Sequence, residues 1–263
     1  MTAPSTRDWP RDWPYPRLIA HRGAGLVAPE NTLTAMRVGH AHGYRMVEID
    51  VKLSADNLSF LLHDATLERT TSGRGRADGL PWRELSRLDA GGWHSAKYAG
   101  EPLPTLASIA RWARAHGVLC NIEIKPTPGR ERETGGAVAL DATTLWRDAE
   151  VPPLLSSFSE EALLAAREAA PALPRALLAD EAPADWQARL ERLGCVALDL
   201  DHLSLSQDLV RRVRAAGFRV LTFTPNAPDR VAELAAWGVD GIITDAVDHV
   251  AADSLPPPLP LPA

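Results

Sequence analysis

Short apolar runs alternate along this chain with longer stretches whose apolar positions recur every three or four residues. The short runs predict strands at Leu18–Ala20, Met46–Val51, Val118–Ile124, Leu154–Ser157, Arg175–Leu178, Val196–Leu198, Arg219–Phe223 and Gly241–Ile243. The longer stretches predict helices over Thr32–His42, Thr105–His116, Glu160–Ala169, Ala184–Leu193, Gln207–Ala216 and Asp229–Trp237, with Gly43 and Gly117 as stops. Leu58–Leu62 is a further extended run. Regular β-α alternation implies a parallel sheet with right-handed crossovers. Eight such strands in about 250 residues fit an α/β fold of the (β/α)₈ TIM-barrel type. A doubly wound open sheet is the runner-up, but His21-Arg22-Gly23-Ala24-Gly25 does not match its glycine-rich first turn.

One stretch breaks the rhythm. Residues 70–104 carry Gly73, Gly75, Gly79, Gly91, Gly92 and Gly100 with little long periodicity, and are too long for a plain βα loop. They are expected to form a small inserted subdomain after the second strand, over the C-terminal mouth of the barrel. Trp82, Trp93 and Tyr98 should anchor it, with one of them available as a wall of a substrate pocket. The expected layout is an N-terminal arm (1–16), a barrel (17–250) and a Pro-rich tail (251–263). The arm carries Arg-Asp-Trp-Pro twice over residues 7–14, and its tryptophans are expected to pack on the barrel. The proline density of the tail favours an extended, solvated, frayed end.

Composition adds boundaries. At 263 residues, 45% hydrophobic and 24% charged, the chain reads as an ordinary globular protein. Its net charge of -6 gives no nucleic-acid footprint. A negative protein that handles a negative substrate must concentrate positive charge locally. Cys120 and Cys195 lie among apolar residues at strand starts and are expected to be buried, reduced thiols. The start lacks the basic-then-apolar pattern of a secretory signal, and no run approaches the ~18 apolar residues of a membrane span. The cytoplasm is the expected compartment, and the oligomeric state is not legible.

Four polar clusters sit at or just past apolar runs: His21-Arg22-Gly23, Glu48-Ile49-Asp50, His63-Asp64 and Glu123-Ile124-Lys125. Strand side chains alternate between faces, so Glu48 and Asp50 share one face while Val47, Ile49 and Val51 share the other. Glu123 and Lys125 repeat the pattern against Ile122 and Ile124. Both strands thus aim charge into the barrel. Three buried acids close together are costly unless a cation neutralises them. An all-oxygen set suits Mg²⁺, Ca²⁺ or Mn²⁺ better than zinc. A plain salt-bridge network with Arg22, Lys52 and Lys125 is the bland alternative. His21 and His63 end apolar runs that meet on one barrel rim, where two imidazoles suit paired acid and base work. The kit as a whole suits metal-assisted cleavage of a phosphate ester. In Pro29-Glu30-Asn31-Thr32, Asn31 or Thr32 is expected to cap a helix. Glu30, with Asn31 beside it, is expected just behind the site, bracing Arg22.

These residues resemble the glycerophosphodiester phosphodiesterases, nearest to the cytoplasmic bacterial enzyme linked to glycerol-phosphate uptake. The carrying stretches are Ala20-His21-Arg22-Gly23, Ala28-Pro29-Glu30-Asn31-Thr32, Glu48-Ile49-Asp50, Leu61-Leu62-His63-Asp64, Asn121 to Pro126 and Trp237 to Asp245. The resemblance implies a barrel with an insert after the second strand and one divalent cation held by Glu48, Asp50 and Glu123. It implies acid–base histidines at His21 and His63, and phosphate-gripping cations at Arg22 and Lys125. Many relatives carry an aromatic-Thr-Val-Asn run where this chain reads Phe223-Thr224-Pro225-Asn226: the aromatic and Asn226 are kept, and Pro225 stiffens the loop.

The substrate this implies is a deacylated phospholipid such as glycerophosphocholine, cut to sn-glycerol 3-phosphate and an alcohol. The alternative is a barrel of the same kind that cleaves lysophospholipids or another membrane-borne diester. No membrane-binding stretch supports it, so a soluble small-molecule diester is expected. A non-catalytic phosphate-binding barrel is a third reading, and such a protein should have lost a histidine or an acid.

Overall fold

The computed structural model describes residues 13–262. In chain order the elements are β1 (Leu18–Ala20), α1 (Leu33–Ala41), β2 (Met46–Leu53), β3 (Ser59–Leu61), α2 (Trp82–Leu85), α3 (Leu106–His116) and β4 (Leu119–Ile124). They continue with α4 (Glu131–Leu145), β5 (Leu154–Ser157), α5 (Glu160–Ala169), β6 (Arg175–Ala179), α6 (Trp186–Leu193) and β7 (Ala197–Asp201). The last are α7 (Gln207–Ala215), β8 (Arg219–Phe223), α8 (Pro228–Trp237) and β9 (Gly241–Thr244).

Parallel pairing runs from β1 through β2, β4, β5, β6, β7 and β8 to β9, and β9 returns to β1 with Leu18 opposite Ile242 and Ala20 opposite Thr244. This closes an eight-stave (β/α)₈ barrel. β3 is not a stave: it lies antiparallel on the outer end of β2, with Val51 opposite Leu61. The buried outward faces of the staves meet the helices in the main core. A second cluster, including Ile19, Met46, Leu154, Ala176, Leu221 and Ile243, fills the lower barrel. Trp13 and Tyr15 join it, and the Tyr15 hydroxyl donates to the Pro152 carbonyl at 2.9 Å. The second Arg-Asp-Trp-Pro copy therefore packs on the barrel through Trp13, while the first, with Trp9, lies outside the described residues.

Sequence patterning missed α4. Its segment carries Gly135 and Gly136 in mid-helix, a pair that lowers helix propensity. The reason for Gly135 is tertiary: a Cβ there would meet the Ala162 carbonyl oxygen at 2.2 Å, so α4 and α5 approach backbone to backbone.

The segment after β3 packs with Phe60 of that strand into a core of its own, made with Leu62, Leu67, Ala77, Leu85, Ala90 and Leu103. It docks beside the start of α1, where Glu101 accepts from the Thr34 N–H at 3.0 Å. The Pro-rich tail departs from the frayed end expected of it. Prolines keep their carbonyls while lacking N–H groups, and an extended tail presents those carbonyls outward. Buried arginines at the N-terminal end of the barrel use them: Arg17 donates to Pro257 O, and Arg214 and Arg219 both donate to Leu259 O. Among the described residues no helix is long and apolar enough to cross a membrane.

Candidate active site

The three acids sit on neighbouring staves. β2 and β4 pair in register with Asp50 opposite Glu123 and Glu48 opposite Asn121, so both strands turn these positions into the barrel. Ligand-capable atoms of Glu48, Asp50 and Glu123 all lie within 4.8 Å of one another, and all three residues are buried. The salt-bridge alternative is partly built as well: Lys125 reaches Glu123 at 2.6 Å and Asp50 at 3.8 Å, and Arg22 Nε reaches Asp50 at 3.3 Å. Those pairs do not satisfy the cage: Glu48 Oε1 is buried with no hydrogen-bond partner among the described residues, and Arg22 Nε, though near Asp50, makes no hydrogen bond either. Burial, then the charges of Asp50 and Glu123, push the Glu48 pKa well above the carboxylate range. Burial, then the charge of Asp50, raises Glu123 to about 7, with Lys125 opposing. Burial also works against Asp50, but Arg22, Lys125 and the Asn31 hydrogen bond prevail and hold it at about 2. An anionic cage with an unsatisfied oxygen is a fitting receptor for a hard divalent cation.

The two imidazoles are each held by a carboxylate through Nδ1. His21 pairs with Asp245 at 2.6 Å, and His63 with Asp64 at 2.6 Å. Burial lowers the His63 pKa and favours the neutral ring. His21 Nε2 lies 3.8 Å from Glu48 Oε2. Asp245 had no role assigned from sequence, because it stands 224 residues from its partner. Barrel closure supplies the link: β9 lies beside β1, and its exit passes so close to Gly25 that a Cβ there would meet the Asp245 carbonyl oxygen at 2.0 Å. Asn226 then steadies Asp245, accepting its N–H at 2.9 Å. The divergent Phe223-Thr224-Pro225-Asn226 stretch thus keeps a site-facing contact through its asparagine.

Arg22 sits at positive φ (+50°), a costly conformation for a non-glycine residue, and its N–H donates to Glu48 Oε2 at 3.0 Å. Its guanidinium donates to Glu30 at 2.8 Å, the brace expected from sequence. The helix cap is Thr32, whose hydroxyl accepts from the Ala35 N–H. Asn31 does other work: its amide donates to Asp50 Oδ2 at 2.7 Å and accepts the Asp50 N–H at 3.0 Å. Lys52, expected only in salt bridges, instead donates to the carbonyls of His63 and Lys125 at 3.0 and 3.1 Å, joining the backbones that carry both side chains.

His21, Arg22, Glu48, His63, Glu123 and Lys125 line one cavity of about 190 Å³ at the C-terminal ends of the staves. It adjoins a wider cleft of about 630 Å³ that shares His63, Glu123 and Lys125 and reaches Asp64, Thr66 and Glu131. The aromatic walls are Phe158 and Phe223. Trp82, Trp93 and Tyr98 line neither space; Trp82 packs near Phe60 and Tyr98 against the main core.

A barrel with acids, imidazoles and cations on one rim invites comparison with known proteins. Residues 21–249 match the model of the glycerophosphoryl diester phosphodiesterase family. The chain belongs to this family. It is 31% identical over 233 residues to a glycerophosphodiester phosphodiesterase of Caldanaerobacter subterraneus, covering 87% of this chain and 93% of that protein. Among solved structures, it resembles a phosphodiesterase of Oleispira antarctica in complex with the product sn-glycerol-3-phosphate. The TM-score is 0.86 at 36% identity, over 91% of this chain and 98% of that one. A glycerophosphodiester phosphodiesterase of Agrobacterium tumefaciens superposes with a TM-score of 0.75 at 27% identity, over 90% and 99% of the two chains.

Proposed function

We propose that this chain hydrolyses glycerophosphodiesters of the deacylated-phospholipid kind, releasing sn-glycerol 3-phosphate and an alcohol with the help of one divalent cation. Family membership puts it in the class of phosphoric diester hydrolases. The observation that carries the finer reading is the buried Glu48–Asp50–Glu123 cage with its unpartnered Glu48 oxygen. These three residues would hold the cation, with Mg²⁺ or Ca²⁺ the best fit to carboxylate oxygens and Mn²⁺ also suited. When bound, the ion supplies Lewis-acid polarisation of a phosphoryl oxygen.

The chain's own residues supply the rest. Arg22 and Lys125 grip the phosphate and stabilise charge as it shifts onto the phosphoryl oxygens. Their own carboxylate partners set the cost and the benefit: burial disfavours the Lys125 ammonium, but Glu123 and Asp50 more than offset this and keep it charged. Asp245 and Asp64 hold His21 and His63 by Nδ1, which leaves each Nε2 for proton transfer. One imidazole accepts the proton of the attacking hydroxyl, and the other delivers a proton to the leaving alcohol oxygen. The attacking group is water itself, which uses each imidazole once, or the glycerol 2-hydroxyl, giving a cyclic phosphate. Water then opens that ring with the two imidazoles exchanging roles: the base of the first step returns its proton to the 2-oxygen, and the acid of the first step takes one from water. The cytoplasm is the proposed compartment, in keeping with two buried, unpaired cysteines.

A coupled assay for glycerol 3-phosphate released from glycerophosphocholine tests the reading. Release that stops with EDTA and returns with Mg²⁺ or Ca²⁺ is expected. No release from glycerophosphodiesters, or undiminished release in EDTA, would overturn it.

A further inference from the structure

The segment after β3 sends one side chain to both halves of the site. Arg69 makes four hydrogen bonds, two to each of two carboxylates. Nη1 and Nη2 donate to Glu30 Oε2 and Oε1 at 2.7 and 2.8 Å. Nε and Nη2 donate to Asp64 Oδ2 and Oδ1 at 2.6 and 2.9 Å. Each carboxylate in turn holds a member of the proposed machinery. Glu30 Oε1 accepts from Arg22 Nη1 at 2.8 Å, and Asp64 Oδ1 pairs with His63 Nδ1 at 2.6 Å. A continuous chain of contacts therefore runs from Asp50 through Arg22, Glu30, Arg69 and Asp64 to His63.

Packing does not explain Arg69, since its side chain is 44% exposed. Charge and shape do. Without it, Glu30 and Asp64 would face each other as two anions on the rim, and their repulsion would draw Arg22 and His63 apart. A planar guanidinium can grip two carboxylates at once through its fork of donors, whereas an ammonium is a point charge.

We infer that Arg69 is a positioning residue for the phosphodiesterase reaction, clamping Glu30 and Asp64 so that the Arg22 guanidinium and the His63 imidazole keep a fixed relation across the cavity. The inference rests on the roles proposed above for Arg22 and His63. Reaction rates are sensitive to displacements of about 1 Å in such groups, so the loss should fall on turnover.

The full-length chain carries the test, as wild type, Arg69→Met and Arg69→Lys. Met keeps an unbranched stem and removes every donor. With glycerophosphocholine, Arg69→Met is expected to lower kcat by about 10–100-fold with a much smaller change in KM. Its Tm should stay within about 3 °C of wild type, because the ion pairs are exposed at the arginine. Arg69→Lys should recover part of the lost kcat. A kcat for Arg69→Met within about threefold of wild type overturns the inference, as does full recovery by Lys. A readout free of turnover separates this from failure of the functional reading. The proton on His63 Nδ1, assigned by NMR against His63→Gln, should be visible in wild type and exchange-broadened in Arg69→Met. Its broadening supports the clamp whatever substrate is cleaved, and its persistence unchanged counts against it.

Discussion

Replacing Glu48 by Gln should stabilise the metal-free protein while abolishing its affinity for a divalent cation. The reasoning starts from three carboxylates whose oxygens lie within 4.8 Å of one another in a buried cage. Burial and the charges of Asp50 and Glu123 raise the Glu48 pKa well above its ordinary 4.5. An acid raised in this way costs nothing below its unfolded pKa and increasingly destabilises the fold as pH climbs past it. The cost is capped, since the group can take up a proton instead of remaining charged. Each pH unit above the ordinary value contributes about 1.4 kcal/mol, so the ceiling at pH 7 is about 3 kcal/mol. Gln keeps an oxygen for the Arg22 N–H that now donates to Glu48 Oε2. For a chain of this size, about 1–3 kcal/mol corresponds to a Tm rise of several degrees, at most about 10 °C. Thermal unfolding of EDTA-stripped wild type and Glu48→Gln, followed by circular dichroism, measures it. The gap should be present at pH 7 and nearly vanish at pH 4.5. Saturating Mg²⁺ or Ca²⁺ should close or reverse the gap by raising only the wild type, by about 3 kcal/mol at a hundred times its Kd. A metal-free Gln variant no more stable than wild type at pH 7, or a gap that survives undiminished at pH 4.5, would refute the electrostatic argument.

Other outcomes follow from the same geometry. His21→Ala and His63→Ala should each lower kcat by roughly 10²–10⁴-fold in the glycerol 3-phosphate assay, and near-normal turnover would remove that ring from the mechanism. Asp240→Ala, at the opposite end of the barrel, would strip Arg214 and Arg219 of their buried carboxylate. It should cost about 3–5 kcal/mol in chemical denaturation while leaving KM unchanged. Burial pushes the thiols of Cys120 and Cys195 up to about 12, so neither should react with a thiol reagent at pH 8 until the chain is unfolded.

The sequence made some of this plain and hid the rest, for physical reasons. Glu48 and Asp50, or Glu123 and Lys125, stand two apart on strands, and a period of two puts such pairs on one face without knowledge of the fold. Contacts that depend on closure are different. Nothing near His21 in sequence announces Asp245, and only the return of β9 to β1 brings them together. Arg69 stands just before the aperiodic stretch and far in sequence from Glu30, so its double grip on Glu30 and Asp64 is visible only in three dimensions. α4 was missed because its Gly135 answers to the Ala162 backbone and not to helix propensity. The tail misled in the other direction: proline density argues for solvation, yet its free carbonyls are what Arg17, Arg214 and Arg219 need at the base of the barrel.

The most direct measurement of the central claim is metal stoichiometry. Metal-free wild type and Glu123→Gln would be titrated with Mg²⁺ and Ca²⁺ by isothermal calorimetry. One cation per wild-type chain, and binding weakened by about tenfold or more in Glu123→Gln, is the expected result. Wild type that takes up no divalent ion, or a Gln variant that binds as tightly as wild type, would contradict a cation seated among Glu48, Asp50 and Glu123.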